Sequence, residues 1–348
     1  MRYDYSMELQ KIESVLQKNL PDAPGAGWNE NIFGTLPGCV TEKHIEQLSS
    51  PCAALLKLGG KRWRPLLLTL CAAAAAGTEE SPEAAYEITP LVEFVHTASL
   101  IHDDIEDCAD TRRGMPAAHI TWGIDTAINA GSWLYFTAAA CLTNVPLPAE
   151  RKLALYRLYA EELRRLHLGQ AMDIAWHKDN TALPSVQEYE AMVRMKTGTL
   201  AALAAKAGTL VGGGTAEQES VMGNAAADIG VGFQILDDVL NLTTGNIGKK
   251  RGDDIVEGKK SLPVLIHLAE QPQDFDTVMA CFTQARKDGI ESPAVERCVT
   301  MLTASGAVAA AHTRARTLIR QACAKVTGLY PDSAAARKID ALFTSMLP

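Results

Sequence analysis

Two aspartate clusters hold most of the chemistry this chain can do: IHDDIED at 101–107 and FQILDDVLNL at 233–242. Each interrupts an apolar, helix-forming stretch, where an unpaired carboxylate is costly to bury. On a helix, positions i and i+4 share a face, so Asp103 stacks with Asp107 and Asp237 with Asn241, while Asp104 and Asp238 flank them. If the two helices face each other, five carboxylates converge. At ~6 Å and an effective dielectric of ~20, each like-charge pair costs about 3 kcal/mol. Such a cluster requires cations, and all-oxygen ligation favours magnesium over zinc.

Basic residues flank both boxes. TRRGMPAAH follows the first, with Arg112 and Arg113 adjacent and therefore pointing different ways, able to grip two separate anions. Upstream, LGGKRWRPLL sets Lys61 and Arg64 three apart at a helix start with Pro65 in its first turn, a ready phosphate site. MKTGTL supplies Lys196 and Thr197, and the segment 243–260 supplies Lys249, Lys250, Arg251, Lys259 and Lys260. Any one of these is more often a solvated surface charge; their conjunction with the acidic boxes is specific. It fits two pyrophosphates, one bridged by metal and one held by cations alone. GGK lacks the rest of a nucleotide-binding GxxxxGK[ST] loop. His102 lies about 100° around the helix from Asp103 and reads as a packing or hydrogen-bonding residue.

The elements that must position these groups are helical. Patterns suited to helices run over about 6–20, 41–57, 64–77, 82–108, 124–142, 149–177, 185–211, 216–242, 261–269, 272–287, 291–304 and 307–328, punctuated by Pro, Gly and capping residues. The stretches 21–38 and 243–260 read as loops, and no alternating strand pattern or composition shift marks a second domain. The expectation is an all-α fold, a single large helical bundle with a central cavity spanning 1–348, with 1–40 a peripheral helix and loop. Only 6% of the 348 residues are aromatic, and Ala-Leu runs suit close helix packing. A net charge of −8 argues against a general nucleic-acid binder. The eight cysteines are scattered without a CxxC pair, as small core residues of a reducing compartment are. The N-terminus lacks a signal-peptide core and the apolar runs fall short of a membrane span, so a soluble, cytoplasmic protein is expected.

In order, GGKRWRP, HTASLIHDDIEDCADTRRGMPAAH, LGQAMDI, MKTG, FQILDDVLNL and GDDIVEGKKSLP closely resemble the trans-isoprenyl diphosphate synthases, the polyprenyl synthetase family, from about Leu58 to Pro263. Several phrases look most like eukaryotic-type geranylgeranyl diphosphate synthases. The resemblance implies the isoprenoid synthase type I fold, usually homodimeric, and about three Mg2+ ions per site. It implies that Asp103 and Asp107, with Asp104 in support, bind magnesium bridging an allylic diphosphate, and that Asp237 holds a third ion with Asp238 nearby. Arg112, Lys196 and Lys259 would grip the allylic diphosphate; Lys61, Arg64, His96 and Arg113 would hold isopentenyl diphosphate. Gln234 and Thr197 would place oxygen dipoles near a developing carbocation, and Gln170 and Asp173 would support the metal wall. Lys250 matches a loop lysine of the family, with neighbouring Lys249 leaving the register open. Asn241 stands where many members carry a third Asp, which makes it a structural or supporting residue.

The implied reaction is condensation of isopentenyl diphosphate with dimethylallyl, geranyl or farnesyl diphosphate, releasing pyrophosphate. Small Ala98 and Ser99, one turn before Asp103, would leave the product tunnel open and favour geranylgeranyl diphosphate, with Phe94 and Val95 a lower floor; farnesyl or longer polyprenyl products are the alternative. A class I terpene cyclase would ionise the same substrate type but need no second diphosphate site. A non-catalytic synthase subunit could lose acidic residues that this chain keeps. No nucleic acid and no membrane span are expected.

Overall fold

The computed structural model describes residues 3–181, 183–245 and 250–347. Nineteen α-helices follow one another among them: α1 Ser6–Asn19, α2 Ala26–Phe33, α3 Glu42–Lys57, α4 Trp63–Ala76, α5 Glu83–Glu87, α6 Pro90–Glu106, α7 Ala118–Trp122, α8 Ile124–Thr137, α9 Cys141–Asn144, α10 Ala149–Lys178, α11 Val186–Val193, α12 Thr199–Val211, α13 Ala216–Thr243, α14 Asp253–Glu257, α15 Leu262–Glu270, α16 Phe275–Asp288, α17 Pro293–Ala304, α18 Ala307–Leu329 and α19 Ala334–Thr344. Among the described residues strand is confined to β1 Thr111–Arg112 and β2 Met115–Pro116, an antiparallel pair. The fold is all-α. No described helix is long and apolar enough to cross a membrane.

The helices group into two compact units, residues 1–160, 203–223 and 327–342 in one and 161–202, 224–326 and 343–348 in the other. In the first, α6, whose Phe94, Val95, Ala98 and Ile101 are buried, packs on α8 and α3, and α1 packs on α4, α5 and α6. The alanine-rich α4 receives α12 closely: a methyl group on Gly208 would run into the carbonyl of Leu68, and one on Gly212 into that of Ala72. In the second unit, α14 and α17 pack on α16, and α15 packs on α11.

Local chemistry explains several boundaries. α11 starts at a capping box, where Ser185 N–H donates to Glu188 Oε2 at 2.7 Å and Glu188 N–H donates to Ser185 Oγ at 3.2 Å. The helix expected over 82–108 is two helices, because Pro90 opens α6 as a first-turn residue and ends α5 before it. The expected loop 21–38 contains α2, whose Trp28 and Phe33 rings meet Trp133 of α8 at 6.3 and 6.1 Å; aromatic packing outweighs the local Gly and Pro signals. The helix expected over 124–142 passes from α8 through a 3₁₀ turn at Ala138–Ala140 into α9. Short helices α7 and α14 and the C-terminal α19 were not among the sequence expectations.

Candidate active site

The first acidic box is the last turn of α6. Asp107 closes it, its N–H donating to Asp103 O at 2.8 Å, so the helical register that aligns their carboxylates is kept. Both are partly buried, whereas Asp104 is fully buried and accepts from Arg112 Nε at 2.8 Å and from Arg112 Nη2. Asp104 Oδ2 is buried with no hydrogen-bond partner. Cys108, in the left-handed region at φ 54°, turns the chain into the β1–β2 hairpin. There Arg112 reaches back to Asp104, while Arg113 lies against Gly60, where a Cβ would meet its Nη2 at 3.0 Å. Burial opposes the charge of Arg112, but the hydrogen bond and charge of Asp104 outweigh it and raise its pKa.

Around Arg113 the same unit gathers a second set of cations. Arg64, in the first turn of α4, has a buried Nε without a hydrogen-bond partner and stacks its guanidinium on the Trp63 ring at 4.4 Å. Burial lowers Arg64 to about 10, with Glu93 opposing and Arg113 reinforcing the shift. His96 of α6 is held well below the usual histidine range by burial first and then by Arg64, Arg113, Arg62 and Arg112, so it is neutral at pH 7. Lys61 is exposed at the loop surface. Among the described residues, Lys61, Arg64 and Arg113 form no ion pair; the buried carboxylate nearby, Glu93, is bonded to Arg62.

The remaining expected residues lie in the second unit. Arg194–Gly198 forms a π-helical turn between α11 and α12, and it carries Lys196 and Thr197. A residue inserted into a helix re-aims its neighbours, a common device at functional sites. Glycines let other helices hold this turn closely: a methyl on Gly169 would strike the Lys196 backbone nitrogen, and one on Gly230 would lie 2.8 Å from Gly198 Cα. Lys196 Nζ donates to Asp173 Oδ2 at 2.6 Å, and His177 Nε2 stands 2.8 Å from Asp173 Oδ1. Burial alone would raise Asp173, but His177 and Lys196 hold it far below the carboxylate range.

Thr197 Oγ1 donates to Gln234 Oε1 at 3.1 Å, and Gln234 Nε2 donates to Asp238 Oδ1 at 3.1 Å. Tyr189 Oη donates to Asp238 Oδ2 at 2.6 Å. The two carboxylates of the second box therefore differ: Asp237 is exposed, while Asp238 is buried and pushed up by that burial and by Asp254. Asn241 is buried, its Oδ1 accepting from Asp254 N–H at 3.2 Å. Lys259 Nζ lies 3.3 Å from Asp254 Oδ1 and 2.5 Å from Glu257 Oε2. Lys250 is exposed and paired with Glu291 at 2.8 Å; Lys249 lies outside the described residues. His102 stacks near Tyr135 at 5.5 Å and approaches Ile128 O at 3.3 Å.

Reading the sequence missed Glu93, Arg62 and Tyr189. A lone acid in the apolar run LVEFVHTASL was a signal for Glu93; Tyr189 has none, because its partner is 49 residues away.

A model of the family described as Polyprenyl synthetase matches residues 45–300, most of the chain. The chain belongs to that family. As a member it is a transferase, a trans-prenyltransferase. It is 39% identical over 222 residues to a geranylgeranyl diphosphate synthase of Methanosarcina mazei, covering 63% of this chain and 67% of that one. It is 33% identical to a geranylfarnesyl diphosphate synthase of Aeropyrum pernix, covering 80% of this chain and 86% of that one. A crystal structure of a geranylgeranyl pyrophosphate synthetase from Pyrococcus horikoshii superposes with a TM-score of 0.82 at 27% identity, covering 98% of this chain and 96% of that one. Its family membership extends over both acidic boxes and both cation sets.

The donors of the first box fit a hard divalent cation. They are all carboxylates, and Asp104 keeps one buried oxygen without a partner. Among the described residues, no three His, Cys, Asp or Glu side chains stand close enough to enclose a metal by themselves. A cation here would complete its shell with water or phosphate oxygens, the ordinary habit of magnesium.

Proposed function

We propose that this prenyltransferase condenses isopentenyl diphosphate with an allylic diphosphate, with geranylgeranyl diphosphate as the main product. The observation that carries the reading is the second cation set, in which Arg64, Arg113 and neutral His96 surround one buried acid that Arg62 already engages. Grouped guanidinium groups without carboxylate partners repel one another unless an anion joins them. Cyclising one diphosphate needs no such group; joining two diphosphates does.

Asp103 and Asp107 of the first box, and Asp237 of the second, would hold magnesium, with Asp104 fixing Arg112 beside the first box. Magnesium, when bound, neutralises charge on the departing diphosphate. Lys196, Lys259 and Arg112 hold the allylic diphosphate by charge-assisted hydrogen bonds. Lys61, Arg64 and Arg113 hold the diphosphate of the isopentenyl partner, and neutral His96 donates a hydrogen bond without adding charge. As the allylic C–O bond breaks, Thr197 and Gln234 present fixed oxygen dipoles to the cation that develops. The isopentenyl double bond attacks that cation, and the released pyrophosphate takes the proton lost from the new chain. Water would capture the cation, so the reaction needs the bound diphosphate shielded from solvent.

Ala98 has no exposed surface and, with Ser99, gives the wall below the first box its small side chains. Exposed Ile124, Ile128 and Phe136 on α8 offer apolar surface to a second copy of the chain, which supports a homodimer. The deciding assay incubates purified protein with magnesium, isopentenyl diphosphate and each of dimethylallyl, geranyl and farnesyl diphosphate. Elongated diphosphates support the reading. Cyclic hydrocarbons without elongation, or no turnover of any primer, overturn it.

A further inference from the structure

The loop bearing Lys61 and Arg64 is governed by the residue between them. Arg62 caps α4 in the left-handed region at φ 46°, a conformation that residues with a Cβ rarely hold unaided. Its guanidinium is buried, and four hydrogen bonds fix it: Nε to Glu13 Oε1 at 2.7 Å, Nη2 to Glu13 Oε2 at 3.4 Å, Nη1 to Glu93 Oε1 at 2.7 Å and Nη2 to Leu56 O at 2.7 Å. The grip is two-sided, with a bidentate carboxylate from α1 and a buried one from α6. The backbone it holds is the one that exposes Lys61, turns Arg64 inward and lays Gly60 against the Arg113 guanidinium.

We infer that Glu13, through Arg62, is a positioning residue for the isopentenyl diphosphate subsite. This rests on the assignment of Lys61, Arg64 and Arg113 to that subsite. Glu13 lies before residue 45, where the family match begins, so this chain's N-terminal helix contributes to substrate binding from outside the matched region. An ordinary surface salt bridge contributes little. This one differs because its arginine is buried and strained, so losing one side of the grip lets Arg62 relax and carries Lys61 and Arg64 with it. Buried Ile12, Val15 and Leu16 keep α1 docked whatever stands at 13.

Glu13→Gln in the full chain tests the inference. Expected is a five- to twentyfold rise in KM for isopentenyl diphosphate, with kcat and KM for the allylic primer within twofold of the parent. A purely structural role would instead lower kcat and the melting temperature and leave the two KM values in proportion. Direct binding is read by calorimetric titration of isopentenyl diphosphate in EDTA, where metal-dependent binding is silent. Weakening of the parent Kd by a similar factor in Glu13→Gln supports the role. An unchanged Kd, or a parent protein that does not bind in EDTA, overturns it. A parent that binds in EDTA but elongates no primer sinks the proposed reaction and leaves the positioning role standing.

Discussion

Tyr189 and Asp238, 49 residues apart, share a 2.6 Å hydrogen bond in which both partners are buried. A carboxylate only accepts, so the nitrogen of the Gln234 amide must face Asp238 and its oxygen must face Thr197. Asp238 thus sets which atom Gln234 presents, and the phenol helps hold Asp238 in place. Tyr189→Phe should destabilise the protein by about 1–3 kcal/mol, the cost of leaving a buried acceptor short of a donor. It should also lower kcat more than either KM. Urea titration and steady-state kinetics read the two effects; a loss under about 0.5 kcal/mol would mean that the bond carries no weight.

Asn241 sits where a further carboxylate would join buried Asp238 and Asp254. Asn241→Asp should therefore destabilise at pH 8. A buried carboxyl has a raised native pKa, so its stability contribution is intact below the unfolded value near 4 and is lost as pH rises through the native value. The variant should recover toward the parent on acidification from pH 8 to pH 5. A penalty that does not vary with pH would exclude charge as the cause.

His96 gives the opposite slope. Its native pKa is depressed by burial and four arginines, while the unfolded chain titrates near 6.5. Below that pH the unfolded state binds a proton that the native state refuses, so stability declines by up to ~1.4 kcal/mol per pH unit. Comparing denaturant midpoints of the parent and His96→Asn between pH 5 and 7.5 should show the decline flattened in the variant. Parallel curves would assign it elsewhere.

Two glycine replacements separate stability from geometry. Gly169→Ala pushes a methyl group onto the π-helical turn at Lys196 and should cut kcat about ten- to a hundredfold by displacing Lys196 and Thr197. Gly208→Ala clashes with Leu68 O and should cost about 1–3 kcal/mol of stability while the folded fraction keeps its kcat. Equal effects on kcat would remove the special place given to the π turn.

Ala98→Phe should shorten the main product. Ala98 is completely buried, five residues before Asp103, and under the proposed function a larger ring there would block the growing chain. Chromatography of dephosphorylated products is the readout, and an unchanged product spectrum would sink this wall assignment.

The helices and the acidic boxes were legible because their information is local: apolar periodicity, caps, and carboxylates one turn apart. The π turn was not, since Lys196 and Thr197 lie in a sequence that reads as continuous helix from 185 to 211. What bends it is close approach by Gly169 and Gly230, from α10 and α13. Helical spacing set Asp237 apart from Asp238, but that Asp238 is buried and bound by Tyr189 while Asp237 is exposed is visible only in the tertiary structure. Arg62 was passed over between Lys61 and Arg64 because nothing nearby in sequence announces Glu13 or Glu93 as its partners.

Asn241 holds the chain twice: its carbonyl accepts from Gly252 N–H at 2.9 Å and its side chain from Asp254 N–H at 3.2 Å. Gly252 and Asp254 are therefore both fastened to one residue of α13, like two links clipped to a rod. Changes at exposed Thr243 or Thr244 should leave the second acidic box undisturbed, because Asn241 itself anchors the chain where it re-enters at Gly252 and Asp254.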